Sequence, residues 1–142
     1  MVVAFCGHAD YFGGENDERH ILKILETQSK GESLEIWLGE YGGFDRFAHC
    51  CAQKYKEKHP ETRLIFVTPY ISVGKDQQYR FDEILYPPIE HVPPKFAISY
   101  RNRWMVDNAD FMIAYVVREF GGAYTMYRYA KRKKKEIFNI AL

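Results

Sequence analysis

Three times along this chain a short apolar run stops in a glycine-rich turn that opens a stretch of helical spacing. CGHADYFGG follows Val2 to Cys6, LGEYGGFD follows Leu34 to Leu38, and VVREFGGAYT spans the end of Phe111 to Val117. A strand that runs through glycine into a helix is the repeating unit of a parallel sheet, because a parallel partner is reached only by a crossover long enough to hold a helix. The fold expected is therefore α/β, a doubly wound and mostly parallel sheet of five or six strands with helices on both faces.

The remaining elements follow from periodicity. Ile21, Leu22, Ile24 and Leu25 form one apolar stripe of a helix from about Asn16 to Lys30, stopped by Gly31. Phe44, Phe47, Ala48, Cys51 and Tyr55 mark a second helix beginning near Asp45 and broken at Lys58-His59-Pro60. Arg63 to Thr68 reads as a third strand ended by Pro69. Between Tyr70 and Pro94 the pattern is ambiguous: Phe81 to Tyr86 fits either a short strand or a helix tail, and two proline pairs frame a stiff connection. Pro94 to Asn108 reads as a helix entered through its proline, Gly121-Gly122 opens a last helix to about Lys133, and Glu136 to Ile140 closes the sheet.

With 142 residues, the chain is expected to form one domain over residues 1–142, able to fold without disulfide or metal. Its 20 basic and 19 acidic residues leave a net charge of +1, which argues against a general polyanion binder and makes nucleic acid an unexpected partner. Cys6, Cys50 and Cys51 cannot all pair with one another and show no CxxC spacing, so no metal site is expected and reduced thiols in a cytosol are the simplest consequence. Cys50 and Cys51 fall within apolar helical spacing and read as packed core. No apolar stretch approaches the ~20 residues that span a bilayer, so no membrane partner is expected.

In such sheets the ligand crevice lies beyond the carboxyl ends of the strands, where backbone N–H groups at a helix start face an anion. Three glycine turns on one edge point to a phosphate-bearing ligand. They match neither GxGxxG nor GxxxxGK[ST], so ordinary dinucleotide binding and NTP hydrolysis are disfavoured and no cofactor is expected.

GHADY, LGEYGGFDRFA, FVTPY, AISYRNRWMVDNADFMI and GGAYTMYRYAKRKKKEIFNI together resemble the SLOG superfamily, Rossmann-like domains that include YpsA-like proteins, DprA-like domains and the Lonely Guy phosphoribohydrolases. The likeness covers nearly the whole chain and is nearest to small bacterial members. It implies a nucleotide or nucleotide-derived ligand at the strand ends. Gly121, Gly122 and Thr125 match the family's Gly-Gly-x-x-Thr phosphate turn, and Arg101 matches its helix-borne arginine. The glutamate that follows this turn in the hydrolases is replaced by Met126, then Tyr127-Arg128, so the resemblance does not carry N-glycosidic hydrolysis with it, and catalytic residues are not assigned.

The ligand-binding expectation comprises Gly7, His8, Gly39, Gly42, Gly43, Asp45, Thr68, Arg101, Asn102, Gly121, Gly122 and Thr125. Amides at Gly42-Gly43 and Gly121-Gly122 hold phosphate, Arg101 neutralises it, and Asp45 or Asn102 selects sugar or base. Each has a bland alternative. In those alternatives His8 caps a neighbouring segment, Asp45 is a helix N-cap worth ~1 kcal/mol, Arg101 pairs with a neighbouring acid such as Asp107 or Asp110, and Thr125 bonds to backbone. A phosphoribohydrolase reading needs a displaced acid, for which Glu40 and Glu119 are candidates, and a third reading is single-stranded DNA binding as in DprA-like domains. The run from Lys131 to Lys135 complements a helix C-terminus. Eleven tyrosines and ten phenylalanines leave aromatic surface for self-association.

Overall fold

The computed structural model describes residues 1–142. The chain runs β1 (Val2–Gly7), α1 (Glu15–Ser29), β2 (Glu35–Leu38), α2 (Gly43–Lys58), β3 (Arg63–Val67), α3 (Lys75–Arg80), β4 (Glu83–Leu85), a 3-10 turn (Pro94–Phe96), α4 (Ala97–Asn108), β5 (Phe111–Tyr115), α5 (Gly122–Arg132) and β6 (Ile137–Asn139). All six strands pair in parallel in the order β4-β3-β2-β1-β5-β6. From β1 the chain winds outward to β4, then returns to the opposite side of β1. The direction of winding reverses between β1 and β5, the place where ligands bind in open sheets of this class.

Alternation along the strands sorts the core into two layers. Val3, Phe5, Ile36, Leu38, Leu64, Phe66 and Ile113 pack with Ile21, Leu25, Phe44 and Cys51 of α1 and α2. Ala4, Cys6, Trp37, Ile65, Val67, Met112 and Ala114 pack with Met105, Val106, Met126 and Ala130 of α4 and α5. Trp104 of α4 stacks on Trp37 with ring centroids 5.0 Å apart and planes 3° from parallel. Because every strand between the edges is covered on both faces, these segments read as continuous apolar runs.

Several boundaries differ from the sequence expectation. The ambiguous stretch contains the helix α3, which buries no side chain and so leaves no apolar stripe to read. Phe81 to Tyr86 resolves as a strand of three residues. The proline at Pro94 starts a 3-10 turn, and the α-helix begins at Ala97. Cys51 is buried while Cys50 is exposed, correcting the reading of both as core: successive helical residues are turned by about 100°, so one of a pair leaves the buried face. No helix is long and apolar enough to cross a membrane.

The close approach of α2 to the end of β1 depends on Gly7, where an added Cβ would overlap the Phe44 ring. Gly7→Ala is expected to destabilise the chain by about 1–3 kcal/mol through overpacking. Gly14→Ser, at the N-cap of α1 where an added Cβ meets nothing within 4 Å and serine is a preferred cap, is expected to lose no more than about 0.5 kcal/mol relative to the parent. Urea unfolding midpoints at unchanged slope measure both, and equal midpoints for the two variants would refute the packing argument.

Candidate functional site

A cleft of about 330 Å³ opens at the switch point, between the carboxyl ends of β1 and β5 and under the first turn of α5. It brings together Gly7, His8, Gly39, Asp45, Arg101, Asn102, Gly121 and Gly122 from four separate parts of the chain. Gly42, Gly43, Thr68 and Thr125 of the expected set lie outside its lining.

Arg101 dominates the electrostatics. The side chain leaves α4 beneath the ends of β2 and β3 and is only 2% exposed. Its Nη1 donates to the Gly39 carbonyl at 3.1 Å and the Val67 carbonyl at 2.5 Å, and its Nε donates to Asn102 Oδ1 at 2.9 Å. The guanidinium carbon lies 5.4 Å from the centre of the Tyr41 ring. Nη2 has no protein partner, and no carboxylate forms an ion pair with the group, so the alternative of pairing with Asp107 or Asp110 is not what the structure contains. Burial pulls its pKa down, with Asp45 the leading opposing influence, but a guanidinium stays protonated throughout the neutral range.

Asp45 is not the N-cap. Gly42 holds that position with φ of 95°, a conformation that favours glycine, and Asp45 stands three residues further on. Its Oδ2 accepts the Tyr41 N–H at 2.7 Å, a reach-back that fixes the turn after β2. Burial, outweighing this bond and the pull of Arg101, pushes the carboxyl up to about 6. It is the only carboxylate lining the cleft. Glu40 is held elsewhere, by two 2.7 Å bonds from Arg80 with His49 Nδ1 at 3.7 Å, and the exposed Glu119 is outside the lining.

The two glycine pairs behave differently. At α2 the Gly43 N–H donates to the Ala9 carbonyl at 2.7 Å and the Phe44 N–H to the His8 carbonyl at 3.3 Å, so the loop after β1 already occupies these donors. The expectation that the Gly42-Gly43 amides hold phosphate is therefore corrected: the Gly43 donor is spent, neither glycine lines the cleft, and the pair lets two loops pack, since an added Cβ on either would strike Ala9 or Tyr11. At α5 the first reach-back bond runs from the Thr125 N–H to the Gly121 carbonyl at 3.0 Å, and no side chain caps the helix. The N–H groups of Gly122, Ala123 and Tyr124 consequently have no intrahelical acceptor. Gly121, at φ of 91°, makes the turn that presents them, with nothing within 4 Å of an added Cβ.

His8 bridges the switch point. Its Nε2 accepts the Val117 N–H at 2.9 Å, which leaves the proton of the neutral ring on Nδ1. Burial, aided by the Arg118 charge, lowers its pKa and favours that neutral form. On the other side of β5, Asn139 Nδ2 donates to the Val116 carbonyl at 3.0 Å and its Oδ1 accepts the Val116 N–H at 3.1 Å. Thr68 spends its hydroxyl in its own turn, donating to the Tyr70 carbonyl at 2.8 Å. The Thr125 hydroxyl donates to the Gly121 carbonyl at 3.0 Å.

Tyr41 and Arg118 line the cleft without having been singled out from the sequence. Each lies within a quoted glycine turn, GEYGG and REFGG, which was the available signal. Arg118 crosses the mouth to Asp10 at 2.8 Å. No group of three or more His, Cys, Asp or Glu side chains is placed to hold a metal. Chemically, the arrangement offers bare amides, one unshared guanidinium nitrogen and one carboxyl that changes charge near neutral pH.

Because the Asp45 pKa rises from 3.8 unfolded to about 6 folded, the folded chain binds a proton that the unfolded chain releases within that window. Stability attributable to this group is thus present at low pH and lost as pH rises through 6. Asp45→Asn, which keeps an acceptor for Tyr41, is expected to raise the melting temperature by several degrees at pH 7.5 and to change it little at pH 4. A difference that fails to shrink on acidification would count against the buried charge.

No protein-family description and no curated protein sequence matches this chain. Solved structures do. TM1055, a structural-genomics target, superposes with a TM-score of 0.60 at 12% identity, over 96% of this chain and 71% of its own. DNA processing protein A from Helicobacter pylori, described for a unique single-stranded DNA binding mode, superposes with a TM-score of 0.63 at 18% identity, over 98% of this chain and 64% of its own. The chain therefore spans less than two thirds of that second protein. Identities of this size show the fold alone, and that fold is Rossmann-like α/β.

Proposed function

We propose that the β1/β5 cleft binds the phosphate of a nucleotide or nucleotide-derived ligand, held between the α5 amides and Arg101. The single observation that carries this reading is a buried guanidinium with one unshared nitrogen, set in the same cleft as an uncapped helix start. A buried cation without an ion pair is costly, and an anionic ligand offsets that cost. The two N–H groups of Nη2 are free to donate to phosphate oxygens as charge-assisted bonds, and the helix dipole adds attraction at the same place. The ligand's sugar or base then lies toward Asp45 and the Asn102 amide.

Neither glutamate weighed for N-glycosidic hydrolysis is available to it, since Glu40 is committed to Arg80 and Glu119 is outside the cleft. The fold likeness to a protein described for single-stranded DNA binding supports a nucleotide-type ligand for this chain. It also weakens the expectation, drawn from net charge, that nucleic acid is an unlikely partner.

A thermal-shift screen of nucleoside mono- and diphosphates at millimolar concentration tests the reading. A ligand at 100 times its Kd adds about 2.7 kcal/mol of stability, enough for a shift of several degrees. Gly122→Asp, on an exposed first-turn position where a carboxylate suits the helix dipole, is expected to keep the fold and abolish the shift. Arg101→Ala is expected to abolish it as well, with some loss of stability. No stabilisation by any nucleotide would overturn the reading.

A further inference from the structure

Beyond Asn102 the cleft continues into a second hollow of about 320 Å³ between α4 and α5. Four residues, Ile98, Asn102, Gly122 and Met126, line both, so the two spaces are contiguous. The second is lined by Lys95, Arg103 and Arg132 with no carboxylate. By contrast, the groove between α1 and α2 mixes Lys23, Lys54 and Lys58 with Glu26 and Glu57, an excess of one cation against the three of the α4/α5 groove.

The cations of the α4/α5 groove are held by an aromatic ring. The guanidinium carbons of Arg103 and Arg132 lie 5.7 and 5.8 Å from the centre of the Tyr129 ring. Tyr129 is itself fixed by its hydroxyl, which donates to Asp107 Oδ1 at 2.8 Å. Held by a π face, each guanidinium keeps its N–H edge for an oxygen acceptor and its plane for stacking on a base. Arg101 and Arg103, two residues apart on α4, necessarily point to different sides of the helix. One serves the cleft and the other the groove. At the junction Asn102, which lines both spaces, accepts from Arg101 Nε at its side-chain Oδ1, and its amide nitrogen has no protein acceptor.

We infer that the α4/α5 groove is a second subsite, taking the next phosphate-bearing unit of a linear ligand whose first phosphate lies in the β1/β5 cleft. The ligand class is then a dinucleotide, or two consecutive nucleotides of a longer single strand. This inference rests on the phosphate reading of the cleft, and the added content is the route and the number of units.

Titration calorimetry on the full chain with a nucleoside monophosphate, a 5′-phosphorylated dinucleotide, a single-stranded octanucleotide and inorganic tripolyphosphate separates the outcomes. The dinucleotide is expected to bind at least about tenfold more tightly than the monophosphate, as for one added charged and stacked unit. The double variant Arg103→Ala/Arg132→Ala, at surface positions, is expected to remove that gain while leaving monophosphate affinity within about twofold. For the octanucleotide it is also expected to reduce the salt slope of log K by about 1.4. Tightening with the octanucleotide beyond the statistical gain of its overlapping two-nucleotide registers identifies a longer strand as the source of the two units, and tightening no greater than that gain identifies the dinucleotide. Dinucleotide binding no tighter than monophosphate, insensitive to the double variant, or matched by tripolyphosphate overturns the second subsite and leaves the cleft reading intact. An octanucleotide that binds when no monophosphate does overturns the cleft reading and the two-unit ligand with it.

Discussion

The guanidinium of Arg101 organises the carboxyl edge of the sheet. Parallel strands end in carbonyl groups that their neighbours no longer satisfy, and one buried cation takes up those of Gly39 and Val67 together. This bond set ties the ends of β2 and β3 to α4. It also places a full positive charge where solvent is nearly excluded, which sets the electrostatic character of everything around it. Asp45 and Tyr41 are the groups nearest in effect, and neither neutralises it by an ion pair.

A second constraint keeps the cleft open. β1 and β5 are neighbours, but their following segments leave in different directions, the first toward α1 and α2 and the second toward α5. His8 spans the parting by accepting the Val117 N–H, and Asn139 supports the far side of β5. These bonds satisfy backbone groups that would otherwise have to be paired by closing the gap. The space between is bordered by main chain at Gly39, Gly121 and Gly122, and a backbone border permits a ligand to approach N–H groups directly. The two sides of α4 then differ in what they face: the inward Arg101 meets strand carbonyls, and the outward Arg103 meets an aromatic ring on α5.

Much of the fold was legible because its strands are short apolar runs punctuated by glycine and its helices carry apolar stripes at regular spacing. α3 was not legible because it packs no side chain inward, and β4 was ambiguous because three residues are too few for either period to register. The site was legible in part. Gly121-Gly122 and Arg101 were visible as a turn and a helix-borne cation, whereas Gly42-Gly43 looked equivalent to the former pair and is not. The difference lies in Ala9 and Tyr11, more than thirty residues upstream, whose backbone fills the space at α2 and leaves α5 bare.

By itself the amino-acid order determined the alternation of strand and helix, the glycine switches at the strand ends, and the supply of cations on α4 and α5, since these depend on local periodicity and residue chemistry. Only the tertiary structure decided which amides are already spent, that Arg101 lies buried without an ion pair, that Asp45 is the carboxylate lining the cleft, and that Arg103 and Arg132 meet over one tyrosine. Those outcomes depend on donors, acceptors and charges brought together from distant parts of the chain, and competition for partners at such distances leaves no trace in local spacing.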